Sequence, residues 1–490
     1  MTVADPVLGR GFDLRRLMAP QSIAVVGATD RPDSYGGQAL LNLELVGFPG
    51  QVWGVNPRRS EVLGRPCVPS VAELPEPVDA VVVAIPAAGV PDAIEQAGAR
   101  GCGGAVVFSA GFGEIVGGVG LQRELVAAAL RHGLPLCGPN CNGIVSPGRR
   151  MALWGDALAV PEPGPVALVS QSGNVAVNAL ATRRGLRFHT VIASGNQAVL
   201  SAADHVEFLV GEQGVGAIAL YLEDDGGPRL VDALAAAADA GVPVVVLKVG
   251  RSAAGARAAA AHSGALAGDQ RVFRALVDEA GAIWADDVHE LLELSKTIAV
   301  ARTAVPRRGR VARSPGAAGP GAGESAPASR RPAASARGLA IMTCSGGDSA
   351  QGADEAARLG LALPSLAAAT RARLAELLPF AATVANPLDY TAMIWGEEEA
   401  LAELVRALGE DPEIGQVLVF YDQPAGLTGA AEESWAAVRR AIVLGAARSP
   451  AMTVVSSTLP ELLDDGAAAE LHGAGVPAAA GLRTGLRCAA

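Results

Sequence analysis

The sequence predicts an α/β protein built from three doubly wound units, and three observations carry that prediction. At 490 residues the chain is long enough for about three domains, each burying its own core. Short β-branched runs alternate with Ala/Leu-rich stretches of helical period, the pattern of a parallel sheet wrapped by helices. One strand–turn–helix opening also recurs, as Val166-Ala-Leu-Val-Ser-Gln-Ser-Gly173 and again as Leu339-Ala-Ile-Met-Thr-Cys-Ser-Gly346.

In the first unit, strands are expected at Ile23 to Val26, Gln51 to Val55, Ala80 to Ile85, Ala105 to Phe108 and Leu134 to Cys137. Helices fall between them at Gly37 to Leu45, Pro91 to Ala99 and Leu121 to His132, and the unit closes near Ser146. A Pro/Gly cluster from Pro161 to Pro165 marks a boundary, after which the alternation restarts. Val166 to Val169, Phe188 to Ile192, Ala217 to Leu222 and Val244 to Lys248 read as strands, followed by a helix from Asp286 to Ala301. From Pro306 to Arg337 nearly every residue is Ala, Gly, Pro, Ser or Arg, too little apolar area to order itself, so residues 304–338 read as a disordered linker. The third unit has strands at Leu339 to Met342, Gln416 to Tyr421 and Met452 to Ser456.

Composition narrows the function classes. Half of the residues are hydrophobic and 18% are charged, which excludes a wholly disordered chain. The net charge of −11 offers no basic field to nucleic acid or anionic lipid, so any bound anion needs a local site. With no apolar leader and no run near the ~20 residues of a membrane helix, a cytoplasmic protein is expected. The six cysteines are scattered; Cys137 and Cys141 form the one close pair, and reduced thiols rather than a metal site are expected.

The turns hold the chemistry. The first reads Gly27-Ala-Thr-Asp-Arg-Pro-Asp-Ser-Tyr-Gly36-Gly37, with Thr29 and Pro32 where a dinucleotide fingerprint wants glycine. The second strand ends at Val55-Asn56-Pro57, where an NAD enzyme would present an acid to the ribose. Hydride transfer is therefore disfavoured. The turn can still meet a phosphate-bearing nucleotide through backbone N–H groups and the hydroxyls of Thr29 and Ser34, or it is simply a tight turn. Strand ends at Gly27, Asn56, Ile85-Pro86, Ser109-Ala-Gly111 and Gly138-Pro-Asn140 converge on one crevice at the carboxyl edge of a doubly wound sheet. In the repeated openings, Ser172-Gly173-Asn174 and Ser345-Gly346-Gly347 start helices whose free N–H groups can make anion sites, aided by roughly half a positive charge, or each is just a tight strand-to-helix turn. His262 follows Lys248-Val-Gly-Arg-Ser252 among small residues. A lone histidine is commonly a surface or core residue, yet beside two anion sites an imidazole is a suitable phosphoryl acceptor. Glu223, in Tyr221-Leu-Glu-Asp-Asp225, can supply the carboxylate that fixes its tautomer.

These motifs, with Ala110-Gly-Phe-Gly-Glu114 and His262-Ser-Gly-Ala-Leu-Ala-Gly268, occur in the order and approximate spacing of the NDP-forming acyl-CoA synthetases, which the chain resembles. The resemblance extends to the α subunit of succinyl-CoA synthetase. It implies a Rossmann-like CoA-binding domain over residues 1–146. A succinyl-CoA synthetase-like flavodoxin domain with the phosphohistidine loop then covers 147–303, and a second flavodoxin-like ligase domain covers 339–490. It also implies coenzyme A across the first domain, phosphoryl transfer through His262 oriented by Glu223, and phosphate held at Ser172-Gly173 and Ser345-Gly346. No Gly-x-x-x-x-Gly-Lys-Ser/Thr and no ATP-grasp region is found, so ATP, ADP and Mg2+ are expected on a separate ATP-grasp β subunit of a hetero-oligomer. The resemblance further implies a small carboxylic acid or its acyl-CoA as the substrate class. Tyr390, after Asp389, stands where the family tends to have a smaller aliphatic residue. A catalytically silent CoA-binding or regulatory protein is the rival reading.

Overall fold

The computed structural model describes residues 11–115, 117–159, 161–250, 270–304, 337–378 and 384–490. The chain divides into two compact units, residues 1–299 and 300–490. The expected linker lies almost entirely outside the described residues.

The first unit contains two sheets. Strands β1 (Ser22–Val26), β2 (Gln51–Val55), β3 (Glu61–Val62), β4 (Arg65–Val68), β5 (Ala80–Val83), β6 (Ala105–Val107) and β7 (Leu136–Cys137) form the first. Their order is β3-β4-β2-β1-β5-β6-β7, parallel except for the β3–β4 hairpin. Leaving out β3, this is the doubly wound 3-2-1-4-5-6 order that opens a crevice beside β1. Every residue of β5 is buried, as a strand covered by helices on both faces requires.

The second sheet holds β8 (Gly143–Ser146), β9 (Met151–Trp154), β10 (Pro163–Ser170), β11 (Phe188–Ala193), β12 (Ala217–Leu222), β13 (Val244–Lys248) and β14 (Ile283–Trp284). The parallel part, β14-β13-β12-β10-β11, has flavodoxin-like order, and β8 and β9 extend it as an antiparallel hairpin. The sequence reading did not anticipate that hairpin. Chain that was expected to finish the first unit near Ser146 already pairs with the second sheet, Val145 opposite Val191. Both hairpin strands are buried on both faces, so they carry no alternation to read. The helix expected from Asp286 runs from Val288 to Ala304. Asp287 accepts from the Glu290 N–H at 2.7 Å while Glu290 accepts from the Asp286 N–H, a reciprocal cap that delays the start.

The second unit carries β15 (Gly338–Thr343), β16 (Leu388–Asp389), β17 (Ile414–Phe420), β18 (Met452–Ser456) and β19 (Ala478–Ala479), all parallel in the order β16-β15-β17-β18-β19. That is again the flavodoxin-like 2-1-3-4-5 arrangement. The only two lysines of the chain are both buried in ion pairs. Lys248 Nζ lies 3.0 Å from Asp225 Oδ1, and Lys296 Nζ lies 2.6 Å from Glu293 Oε2. Among the described residues no helix is long and apolar enough to cross a membrane.

Candidate functional site

A cavity of about 720 Å³ opens at the carboxyl ends of β1 and β2, beside the helix Tyr35–Leu45. Three cross-links shape it. Asn56 Nδ2 donates to the Ala28 carbonyl at 2.8 Å while its Oδ1 accepts from the Arg58 N–H at 2.9 Å, tying the two strand-end loops together. Arg59 bridges to Asp30 at 3.1 Å. Asn42 Nδ2 donates to the carbonyls of Trp154 at 2.9 Å and Asp156 at 2.7 Å, closing the far wall with chain from the hairpin. Arg31, Arg58 and Arg59 line the cavity with Asp33 and Asp156, and Asp30 just outside the lining pairs with Arg59, so the guanidinium groups are balanced locally by carboxylates.

Five sequence-predicted residues, Gly27, Thr29, Ser34, Gly36 and Asn56, line this cavity. Ser34 does so with a committed hydroxyl, which donates to the Arg31 carbonyl and caps the Gly37 N–H at 3.2 Å, leaving backbone groups to face a ligand. Pro57, Ile85, Pro86, Ser109, Gly111 and Asn140 stand outside the lining. They build the neighbouring strand ends instead. Ser109 Oγ donates to the Ile85 carbonyl at 2.5 Å, and the Asn140 N–H donates to the Ser109 carbonyl at 2.9 Å. The arginines were missed as site residues, although Arg58-Arg59 directly after Asn56-Pro57 is a legible basic pair at a strand end.

Glu114 locks these loops from below. Its Oε1 accepts from the N–H groups of Gly111 at 2.5 Å and Phe112 at 3.1 Å, and its Oε2 from Asn196 Nδ2, which brings in the β11 strand end. Burial pushes this carboxyl up, but the backbone donors and Asn196 outweigh it and hold it below the usual range. A depressed carboxyl contributes stability that is present above its unfolded value and lost as pH falls through its folded value. Glu114→Gln is therefore expected to lower stability by about 1 kcal/mol at pH 7, with the gap from wild type narrowing below pH ~4 in thermal melts. A gap that stays constant with pH would show that the charge does not hold the loop.

On the second sheet, β10 ends at Ser170 and Ser172 caps the helix Gly173–Ala181 by accepting from the Val175 N–H at 3.4 Å. The first N–H groups of that helix, at Gly173 and Asn174, have no acceptor within it. Gln171 joins this helix start to the adjacent end of β12. Its Oε1 accepts from the N–H groups of Glu223 at 2.5 Å and Asp224 at 3.3 Å, and its Nε2 donates to Asp224 Oδ2 at 2.8 Å. Glu223 and the Ser172 turn are thus brought together at neighbouring strand ends, with Gln171 as the connection that motif reading passed over. His262 lies outside the described residues.

The corresponding turn of the second unit differs electrostatically. Ser345 caps the Asp348 N–H at 3.3 Å, so Gly346 and Gly347 begin the helix Gly346–Leu359. Asp348 sits in its first turn, and Asp389 Oδ2 lies 3.4 Å from where a Cβ on Gly346 would stand. Nearby Asp422 is pushed above the usual carboxylate range by burial, with Asp348 adding to the rise. Tyr390 is buried in the core, and its burial drives the phenol far above its ordinary value.

An arginine-lined cavity at the carboxyl edge of one doubly wound sheet, with two further flavodoxin-like sheets along the chain, defines a multi-domain doubly wound α/β protein. Residues 21–147 match the family described as CoA binding domain, and residues 163–298 match the succinyl-CoA ligase like flavodoxin domain. The chain is 34% identical over 412 residues to the ADP-forming acetate–CoA ligase I of Archaeoglobus fulgidus, covering 83% of this chain and 54% of that protein. It is 32% identical to the α subunit of the Pyrococcus furiosus ADP-forming acetate–CoA ligase II, covering 84% of this chain and 83% of that subunit. The fold superimposes with a TM-score of 0.79 and 27% identity on the dinucleotide forming acetyl-coenzyme A synthetase 1 of Ca. Korarchaeum cryptofilum in complex with phosphate and ADP, covering 97% and 95% of the two chains. The chain belongs to the ADP-forming acyl-CoA synthetase family. It spans about half the length of its Archaeoglobus relative.

Proposed function

We propose that this chain is the CoA-binding, phosphohistidine-carrying part of an ADP-forming acyl-CoA synthetase. The overall reaction is acid + CoA + ATP to acyl-CoA + ADP + phosphate, completed with an ATP-grasp partner that holds the nucleotide and Mg2+. The observation that carries the reading is the arginine-lined cavity at the β1 and β2 ends, most of whose lining falls in the segment that matches a CoA-binding family. Coenzyme A brings a pyrophosphate and a 3′-phosphate, and the guanidinium groups of Arg31, Arg58 and Arg59 suit such oxygens because they donate in a planar fork. Ser172-Gly173-Asn174 cradle phosphate with backbone N–H groups, while Glu223, fixed through Gln171, orients His262 to accept and release the phosphoryl group. The acid's carboxylate takes the phosphoryl group from His262, breaking the N–P bond to give an acyl phosphate, and the CoA thiolate then attacks its carbonyl carbon and expels phosphate. The helix start at Ser345-Gly346-Gly347 is a candidate phosphate site of the second unit by itself, weakened by Asp348 and Asp389.

Calorimetric titration tests it. Wild-type protein is expected to bind coenzyme A and to ignore NAD, and the double substitution Arg58→Glu and Arg59→Glu should weaken CoA by at least about tenfold, since charge-assisted hydrogen bonds contribute about 1.5–3 kcal/mol each. No CoA binding, or binding indifferent to both arginines, overturns the assignment of this cavity.

A further inference from the structure

One side chain touches both the CoA cavity and the phosphate cradle. Asn142 lies in the turn between β7 and β8, within the first unit. Its carbonyl accepts from the Gly155 N–H at 3.0 Å, and its Nδ2 donates to Asp156 Oδ2 at 3.4 Å. Gly155 and Asp156 are cavity wall. Asp156 is itself pinned, its carbonyl accepting from Asn42 Nδ2 and its Oδ1 from the Ala157 N–H at 2.7 Å. On its other side the amide reaches the start of the helix Gly173–Ala181. A Cβ placed on Gly173 would stand 2.3 Å from Asn142 Oδ1, well inside contact distance, so this approach exists only because residue 173 is glycine.

We propose that Asn142 is a positioning residue that couples occupancy of the CoA cavity to the order of the phosphate-cradling helix start. The inference rests on the CoA-binding reading above and adds to it a route by which one ligand prepares the site for the other. A ligand bound against the Gly155–Asp156 wall restrains that wall. Asn142, held to it by a main-chain and a side-chain hydrogen bond, is restrained with it. The amide then limits the positions open to Gly173 and Asn174, so part of the ordering that phosphate binding requires is already in place.

Hydrogen exchange read by mass spectrometry tests this with the full chain and coenzyme A as the only probe. In wild type, saturating CoA is expected to slow exchange in peptides spanning 27–36, the cavity loop, and also in peptides spanning 171–177, the latter by about fivefold. In Asn142→Ala, CoA should still protect 27–36 while protection of 171–177 disappears. Gly173→Ala supplies the second variant from the opposite side. Its methyl group must push the Asn142 amide away, so it should lose the same distal protection, and adding it to Asn142→Ala should change nothing further. Distal protection that persists in Asn142→Ala overturns the proposal, because CoA would then order the helix start directly or by another route. Protection confined to 27–36 in wild type overturns it as well, and so does loss of all CoA binding in both variants, which would make Asn142 part of the cavity scaffold. Failure of wild type to bind CoA is a different result and strikes the functional reading itself.

Discussion

His262→Ala is expected to abolish phosphoryl transfer to this chain. Given radiolabelled acetyl phosphate, the wild-type protein should acquire a label that is stable in base and lost in acid, and the alanine variant should acquire none. In turnover with an ATP-grasp partner the loss should be on the order of 10⁴-fold or more, because removing a covalent nucleophile leaves only positioning and electrostatics. The acid lability follows from the chemistry of the bond: protonation turns the imidazole into a good leaving group. Two groups of the proposed phosphoryl-transfer site lie among the described residues. Glu223 stands at the end of β12, its backbone N–H held by Gln171, and the Ser172 turn stands at the end of β10 on the other side of the same glutamine. Glu223→Gln keeps the shape and removes the charge, so it should slow phosphorylation by about 10²-fold without lowering the melting temperature. Label that survives in His262→Ala removes the histidine from the mechanism, whatever Glu223 does.

Most of the parallel strands were legible in the sequence as short apolar, often β-branched runs bounded by turn residues, and the repeated Ser-Gly openings marked two of the helix starts, whereas the short parallel strands β4, β14, β16 and β19 were not anticipated. What stayed hidden has a physical cause in each case. The β8–β9 hairpin is apolar on both faces, so nothing in its pattern says which sheet it joins; only the pairing of Val145 with Val191 does. Asn56 was picked out for standing where an NAD enzyme has an acid, but its work is to tie the Ala28 carbonyl to the Arg58 N–H, a role visible only once two loops meet. Gln171 and Asn142 are the same kind of residue. Each sits inside a recognisable motif, and each acts through partners 50 or so residues distant or through a glycine that leaves it room. Spacing along the chain shows the residues that end strands, whereas the side chains that join one strand end to the next show themselves only in three dimensions.

Gly36→Ala is expected to produce a large loss of CoA affinity from a single methyl group. In an ordinary helix this exchange stabilises by about 0.8–1 kcal/mol, because alanine is the better helix former. Gly36 is not in ordinary surroundings. A Cβ there would lie 2.2 Å from the carbonyl oxygen of Gly27 and 2.9 Å from its carbon, and a backbone carbonyl cannot rotate out of the way. Either the helix Tyr35–Leu45 retreats from β1 or the Gly27 turn is displaced, and both line the cavity. Overpacking of this kind costs about 1–3 kcal/mol, which should lower the melting temperature by several degrees and weaken CoA by at least about tenfold as the loop and helix N–H groups lose their alignment. Gly120→Ala is the matched control, since that helical glycine has nothing within 4 Å of its would-be Cβ and the substitution should be neutral or stabilising. If Gly36→Ala behaves like Gly120→Ala in both the melt and the CoA titration, close packing of this helix on the Gly27 turn is not what shapes the binding site.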